Sequence, residues 1–295
     1  MKPDHIDDAR ATIKRNDQRS IDVVLVNIPA SAGYLDVEER TTPRLSTCDG
    51  ERAHRLSARS PIEGRAWRAA RIATRIVLER WIGPGVRGRA FEVEPGGRPH
   101  LGVGALAFSL SHSGSYALIA VARRGTIGAD IEQVRPLRMS DERRARIVSA
   151  ARRLSSLGDP SAVSMTTQDE ADVLQAWVRL EAIAKASGLG IAHLLTETGV
   201  IGDGKANIGQ RLSGFAVRDL VVGSDDGPHT GNATTLHPAS ALLPSPAVWK
   251  SSRDQPREPV GYVAAIAAPS LPAVIPVTSF PANADALARF LANAA

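Results

Sequence analysis

FSLSHSGSYALIAVARRGTIGADIEQVRP, residues Phe108 to Pro136, holds a Ser-His-Ser turn, an apolar strand, a basic turn and a second strand. Ile127, Ala129 and Ile131 alternate with Gly128, Asp130 and Glu132, which is the period of a strand. Asp130 and Glu132 therefore share one face, about 6–7 Å apart by strand rise. Two carboxylates so placed repel each other unless a cation sits between them. Hard oxygen ligands in that arrangement suit magnesium, which takes one or two protein carboxylates and completes its shell with water and phosphate oxygens. The plain alternative is a surface strand with solvated acids.

Working outward, the composition is that of an ordinary globular chain. Its 295 residues are 43% hydrophobic and 23% charged, enough for one large domain or two modest ones. Aromatics make up only 4%, so the core must rest on Ala, Val, Ile and Leu. The net charge of +5 favours anionic partners without choosing among them. Scattered arginines, few stacking aromatics and no nucleic-acid motif argue against nucleic acid. Cys48 is the single cysteine, so no internal disulfide forms. No apolar leader opens the sequence and no run reaches the ~20 apolar residues of a membrane span. The expectation is a soluble cytoplasmic protein with no membrane association.

Upstream of the core stretch, residues 1–20 read as a flexible extension. Asp22 to Pro29 reads as a first strand, followed by turns to about Gly50. Ser60, Pro61 and Glu63 form a capping signature that opens a helix to about Trp81, stopped by Gly83-Pro84-Gly85. Gly88–Val93 reads as a strand and Pro95–Pro99 as a tight turn. Downstream, Ser140 caps a basic helix from Asp141 to Leu154, and 155–167 is a loop. A helix runs from about Gln168 to Ser187 and ends at Gly188. Strands are expected near Ala192–Thr196, Lys205–Ile208, Gly214–Val221 and Pro259–Ala267. The segment 223–257, rich in Pro, Ser, Gly and Asp, reads as a long loop. Residues 271–295 form a tail or short helix. The chain divides into two similar halves, 21–127 and 128–270.

The second long helix carries QAWVRLEAIAKASGLG, residues 175–190. Trp177, Glu181 and Lys185 recur every four residues and so lie along one stripe. Glu181 and Lys185 alone read as an ordinary ion pair. Beside the D-x-E strand, Glu181 becomes a third carboxylate and Lys185 a cation within reach of phosphate.

These residues together resemble the Sfp-type 4′-phosphopantetheinyl transferases. The turn Phe108-Ser-Leu-Ser-His-Ser113 matches one element of that family. Gly128-Ala-Asp-Ile-Glu132 with Arg135-Pro136 matches the second, and Trp177 to Lys185 with Gly188 the third. Gly97-Arg98-Pro99 matches a weaker upstream element. The likeness covers roughly residues 50 to 270. Ser109 stands where the family usually has Asn, Ala129 where it has Val, and Leu180 where it has Lys. The last change removes a charge and puts the rate in question. The N-terminal extension and 223–257 lie outside the pattern.

The resemblance implies an α+β fold of two pseudo-symmetric subdomains, with mostly antiparallel sheets and coenzyme A in the cleft between them. It implies a magnesium-dependent enzyme, a holo-[acyl-carrier-protein] synthase. Such an enzyme moves phosphopantetheine from coenzyme A to a serine of an apo-carrier protein and releases adenosine 3′,5′-bisphosphate. Asp130, Glu132 and Glu181 would hold Mg²⁺. Glu181 would also act as base, and Lys185 would neutralise the leaving phosphate. Ser111, His112 and Arg98 would bind phosphates of coenzyme A. Arg65, with Arg68 as alternative, would grip the 3′-phosphate, and Arg52 and Arg55 would hold the adenine-side phosphate too. For His112 the alternative is a turn histidine satisfied by backbone. The rival reading is a non-catalytic coenzyme A or carrier-binding protein of the same fold. A monomer is expected, and the identity of the carrier is not encoded in these motifs.

Overall fold

The computed structural model describes residues 21–102, 106–155, 165–202, 212, 214–222, 261–272 and 274–292. The expected strand at Lys205–Ile208, the segments 1–20 and 223–257, and most of the 155–167 loop lie outside them. The described residues form a mixed α+β fold with small, mainly antiparallel sheets. Among them no helix is long and apolar enough to cross a membrane.

The first sheet has the order β4-β5-β1-β9. It is built from β1 (Ile21–Asn27), β4 (Ala107–Ser113), β5 (Tyr116–Ala122) and β9 (Val277–Ser279). β1 and β4 each run antiparallel to β5, pairing Ile21 and Ala107 with Ala122. β9 joins the far edge, parallel to β1, with Val23 opposite Val277. The second sheet has the order β6-β8-β7: β6 (Gly128–Gln133), β8 (Tyr262–Ala268) and β7 (Ala216–Leu220), all antiparallel. β2 (Glu92–Val93) and β3 (Pro99–His100) make a small hairpin.

Two-residue periodicity sorts the side chains of these strands into layers. Val24, Val26, Ala117, Ile119 and Val121 face one way, onto α1 (Ile28–Thr41) and α3 (Pro61–Ile82). Val23, Leu118, Ala120 and Ala122 face the other way and meet Ala129, Ile131, Ala264 and Ile266 of the second sheet. Ala265 and Ala267 look out from that sheet onto α5 (Glu170–Ser187), with α4 (Asp141–Ser155) and α6 (Ile191–Glu197) beside it. The stacking is helix, sheet, sheet, helix. Small Ala and Val side chains at the central layer let the sheets close on each other. That is how a chain poor in aromatics fills its core.

Several expectations hold. Ser60 caps α3 through its Oγ and the Glu63 amide, and Gly83 ends the helix at φ 77°. The helix expected from about Gln168 starts at Glu170 behind an Asp169 cap, and Gly188 ends it as expected, in the left-handed region at φ 71°. Four readings are corrected. The stretch taken as turns up to Gly50 is α1 and the start of α2 (Thr47–Arg59). Asn27 caps α1 with Pro29 in its first turn, so that proline opens a helix rather than only ending a strand. Ser46 and Asp49 form a reciprocal capping box on α2. Ala192–Thr196 is helix α6, because Leu194 and Leu195 are both buried against α5 while Ala192 and His193 are exposed. Gly88–Val93 shrinks to the two residues of β2. Finally, Ser111-His-Ser113 lies in β4, and the turn is Gly114-Ser115.

Two buried arginines and a partly buried one brace the first half. Arg44, Arg71 and Arg75 meet Glu79 and Asp49: Arg44 Nε donates to Glu79 Oε2 at 2.8 Å, Arg71 Nε lies 3.0 Å from Asp49 Oδ1, and Arg75 also pairs with Asp49. Burial works against the Asp49 carboxylate, but Arg71 and Arg75 outweigh it and hold its pKa below the usual value. Burial opposes Glu79 likewise, and hydrogen bonds from Arg87 and Arg44 hold it low.

Candidate functional site

β6 carries Asp130 and Glu132, and α5 lies directly across it. Gly128 makes that approach possible. A Cβ at this position would come within 1.9 Å of the Ala182 oxygen and 2.5 Å of the Ala186 nitrogen. Ala182 and Ala186 are the neighbours of Glu181 and Lys185, so the glycine seats those two side chains over the acidic strand. Behind them Arg179, fully buried, donates to Asp219 Oδ1 on β7 at 2.6 Å, and Gln175 Nε2 reaches the same oxygen at 2.7 Å. This anchor fixes how α5 presents its outer face.

Asp130 is only 5% exposed, which rules out solvated acids at this end of the strand. Its Oδ1 accepts from Lys185 Nζ at 2.6 Å and from Ser111 Oγ at 2.6 Å, and Lys185 also donates to the Ala129 oxygen at 3.2 Å. Burial pushes the Asp130 carboxyl up, with the Lys185 ammonium pulling back against it. Glu132 Oε2 accepts from Ser113 Oγ at 2.8 Å and Arg135 Nη1 at 2.7 Å. Glu181 is half-buried, and among the described residues nothing hydrogen-bonds or pairs with its carboxylate. Burial raises its pKa, the Asp130 charge raises it further, and Lys185 only partly offsets them. An acid left without a partner beside two others is the electrostatic mark of a place short of positive charge.

His112 follows on β4 with its outer side exposed. The protein packed on its inner side holds the imidazole below its usual range, and the Lys185 ammonium adds to this while Glu132 and Glu63 pull upward. It therefore lies within electrostatic reach of Lys185, of Glu132 and of Glu63 at the start of α3. Arg98 reaches the far end of α5, donating to the Ala186 oxygen at 3.0 Å and to Glu94 at 2.7 Å. The structure thus brings Ser111, His112, Asp130, Glu132, Glu181 and Lys185 together, with Arg98 at their border.

The other expected arginines stand apart. Arg52 and Arg55 are exposed on α2, beside an open pocket of about 640 Å³ that Arg59, His54 and Leu56 also line. Arg52 stacks over Trp67 at 5.5 Å and Arg55 lies 3.9 Å from Glu51. Arg68 is taken by Asp36 at 3.0 Å, whereas Arg65 is exposed with no such partner among the described residues. No hydrogen bond or ion pair among the described residues ties Arg52, Arg55 or Arg65 to the acids.

The donors suit a hard divalent ion: carboxylate oxygens, one of them without a partner. Among the described residues, however, no three acid, histidine or cysteine side chains close into a ready cage. Lys185 and Arg135 hold two of the three acids instead. Magnesium asks for less than a full cage, since it keeps waters and substrate oxygens in its shell. Ser113, Arg135 and Arg179 carry no role in the sequence reading, although all three stand inside its motifs. No family model matches the chain, and no curated protein matches its sequence.

Proposed function

We propose that this chain is a magnesium-dependent 4′-phosphopantetheinyl transferase acting on coenzyme A and an apo-carrier protein. The observation that carries the reading is that Asp130, Glu132 and Glu181 feel one another's charge, with Lys185 hydrogen-bonded to Asp130 and His112 beside them. The finer fold expectation, two pseudo-symmetric subdomains around a coenzyme A cleft, belongs to the same proposal, as do the monomeric state and the cytoplasmic setting.

The chemistry is phosphoryl transfer, where positioning and charge neutralisation do most of the work. Asp130, Glu132 and Glu181 would hold magnesium, which when bound neutralises the diphosphate of coenzyme A. The carrier serine oxygen bonds to the phosphorus that bears pantetheine. The bond from that phosphorus to the bridging oxygen breaks, and adenosine 3′,5′-bisphosphate leaves. Glu181, with its raised pKa, takes the serine proton. Lys185 turns from Asp130 to the departing phosphate. His112, and Arg98 once it lets go of Glu94, bind phosphate oxygens at the border of the site. Arg65 is the arginine left for the 3′-phosphate, since Arg68 is committed to Asp36.

The test is incubation with coenzyme A, Mg²⁺ and a panel of apo-carrier proteins, read by intact mass. The expected result is a gain of ~340 Da on at least one carrier, the mass of one phosphopantetheine arm delivered by this transfer. Folded protein that binds coenzyme A but shifts no carrier supports the non-catalytic binding protein instead.

A further inference from the structure

We propose that Ser113 is a positioning residue that holds Glu132 ready for a divalent ion. The proposal rests on the transferase reading, because it takes Glu132 to serve that ion. β4 and β6 belong to different sheets and share no ladder, yet they run side by side. Serine hydroxyls join them. Ser109, Ser111 and Ser113 fall on one side of β4 by its two-residue period. Ser109 Oγ accepts from the Ala129 amide at 3.0 Å. Ser111 Oγ donates to Asp130 Oδ1 at 2.6 Å. Ser113 Oγ donates to Glu132 Oε2 at 2.8 Å and accepts from the Gln133 amide at 3.1 Å.

The three rungs do different things. Ser109 touches only backbone, so it registers one strand against the other. Ser113 spends its single proton on a carboxylate and its lone pair on an amide. That double commitment fixes its rotamer and, through it, one oxygen of Glu132. The second donor on Glu132, Arg135, is half exposed and sits on a long flexible side chain. Arg135 supplies charge, whereas Ser113 supplies the fixed point. Outer hydrogen bonds of this kind typically change metal affinity by about 10–100-fold.

The experiment uses the purified full chain and Mn²⁺ as the probe ion, with free Mn²⁺ read by electron paramagnetic resonance. Ser113→Ala should weaken Mn²⁺ binding roughly tenfold, with Tm changed by no more than about 2 °C. It should also speed hydrogen exchange at the Gln133 amide. Ser113→Thr, which keeps the hydroxyl, should restore both. Ser109→Ala should lower Tm by roughly 3–6 °C by stranding a buried amide, with Mn²⁺ affinity kept within about twofold. Unchanged Mn²⁺ affinity in Ser113→Ala overturns the proposal and leaves the transferase reading standing. Equal affinity losses in both alanine variants overturn it too, since they mark general damage to β4. A wild-type chain that takes up no Mn²⁺ defeats the transferase reading, and the positioning role falls with it.

Discussion

Lys185 Nζ lies 2.6 Å from Asp130 Oδ1, and the pair is the electrostatic hinge of the site. The ammonium gives the buried carboxylate the positive charge that a divalent ion would otherwise bring. One lysine cannot serve Asp130 and a leaving phosphate at the same moment. In the proposed reaction, therefore, the ion and the lysine compete for Asp130, and the arriving ion frees Lys185 for catalysis.

Lys185→Met removes one competitor and leaves Asp130 without its partner. Breaking a closed buried pair costs roughly 3–5 kcal/mol; with Lys185 partly open to water, about 2 kcal/mol is expected. Thermal unfolding without divalent ions should show that loss, and millimolar Mg²⁺ should recover most of it. Mn²⁺ titration should give tighter binding than wild type, and the carrier mass shift should disappear. Weaker Mn²⁺ binding in this variant would contradict the competition.

Glu181→Gln tests the unpartnered acid. Burial and the Asp130 charge make its ionised form unfavourable. Neutralising it should raise Tm at pH 7 by a few degrees, roughly the effect of 1 kcal/mol. Transfer should fall by about 10²–10⁴, the range that a general base supplies. A variant both less stable and inactive would point to a structural role instead.

Acid should loosen the first half of the molecule. Asp49 and Glu79 have folded pKa values below their unfolded ones. Their stabilisation is therefore complete above the ordinary carboxylate range and drains away as pH falls through the lowered values. Asp49→Asn should cost about 3 kcal/mol at pH 7, because Arg71 and Arg75 lose their shared partner. The gap from wild type should narrow as pH drops toward 3. A gap that stays constant with pH would mean the arginines act through packing alone.

Gly128→Ala should damage fold and site together. Its Cβ meets helix backbone rather than a side chain that can swing away. A cost near 3 kcal/mol, the upper end for overpacking, is expected by denaturant unfolding. Mn²⁺ affinity should fall as well, since α5 must lift away from Asp130 and Glu132.

How much of this was legible in the chain differs by element. The acid strand was, because alternation of Ile127, Ala129 and Ile131 with Gly128, Asp130 and Glu132 fixes a face without tertiary knowledge. So was α5, whose apolar run stops at Gly188. Helix α2 is signalled in the sequence by the Ser46–Asp49 box, but with few apolar residues behind it. Pro29 was ambiguous, since proline both ends strands and opens helices. α6 was hidden because seven residues are too few to display a period. The serine rungs had no local signal at all: they depend on two sheets meeting edge to edge. The Lys185–Asp130 pair was equally silent, because the spacing on α5 pointed to Glu181 instead.

The pairing of β9 has a consequence for the edge that β1 presents. β9 pairs with β1, while Phe280 and Leu287 pack into the first core and Arg80 stacks on Phe290. β1 thus waits for a strand far downstream in the sequence before that edge is covered. A chain cut after residue 127 would keep β1 but lose β9, and would carry that strand edge uncovered, the kind of unpaired edge that invites aggregation.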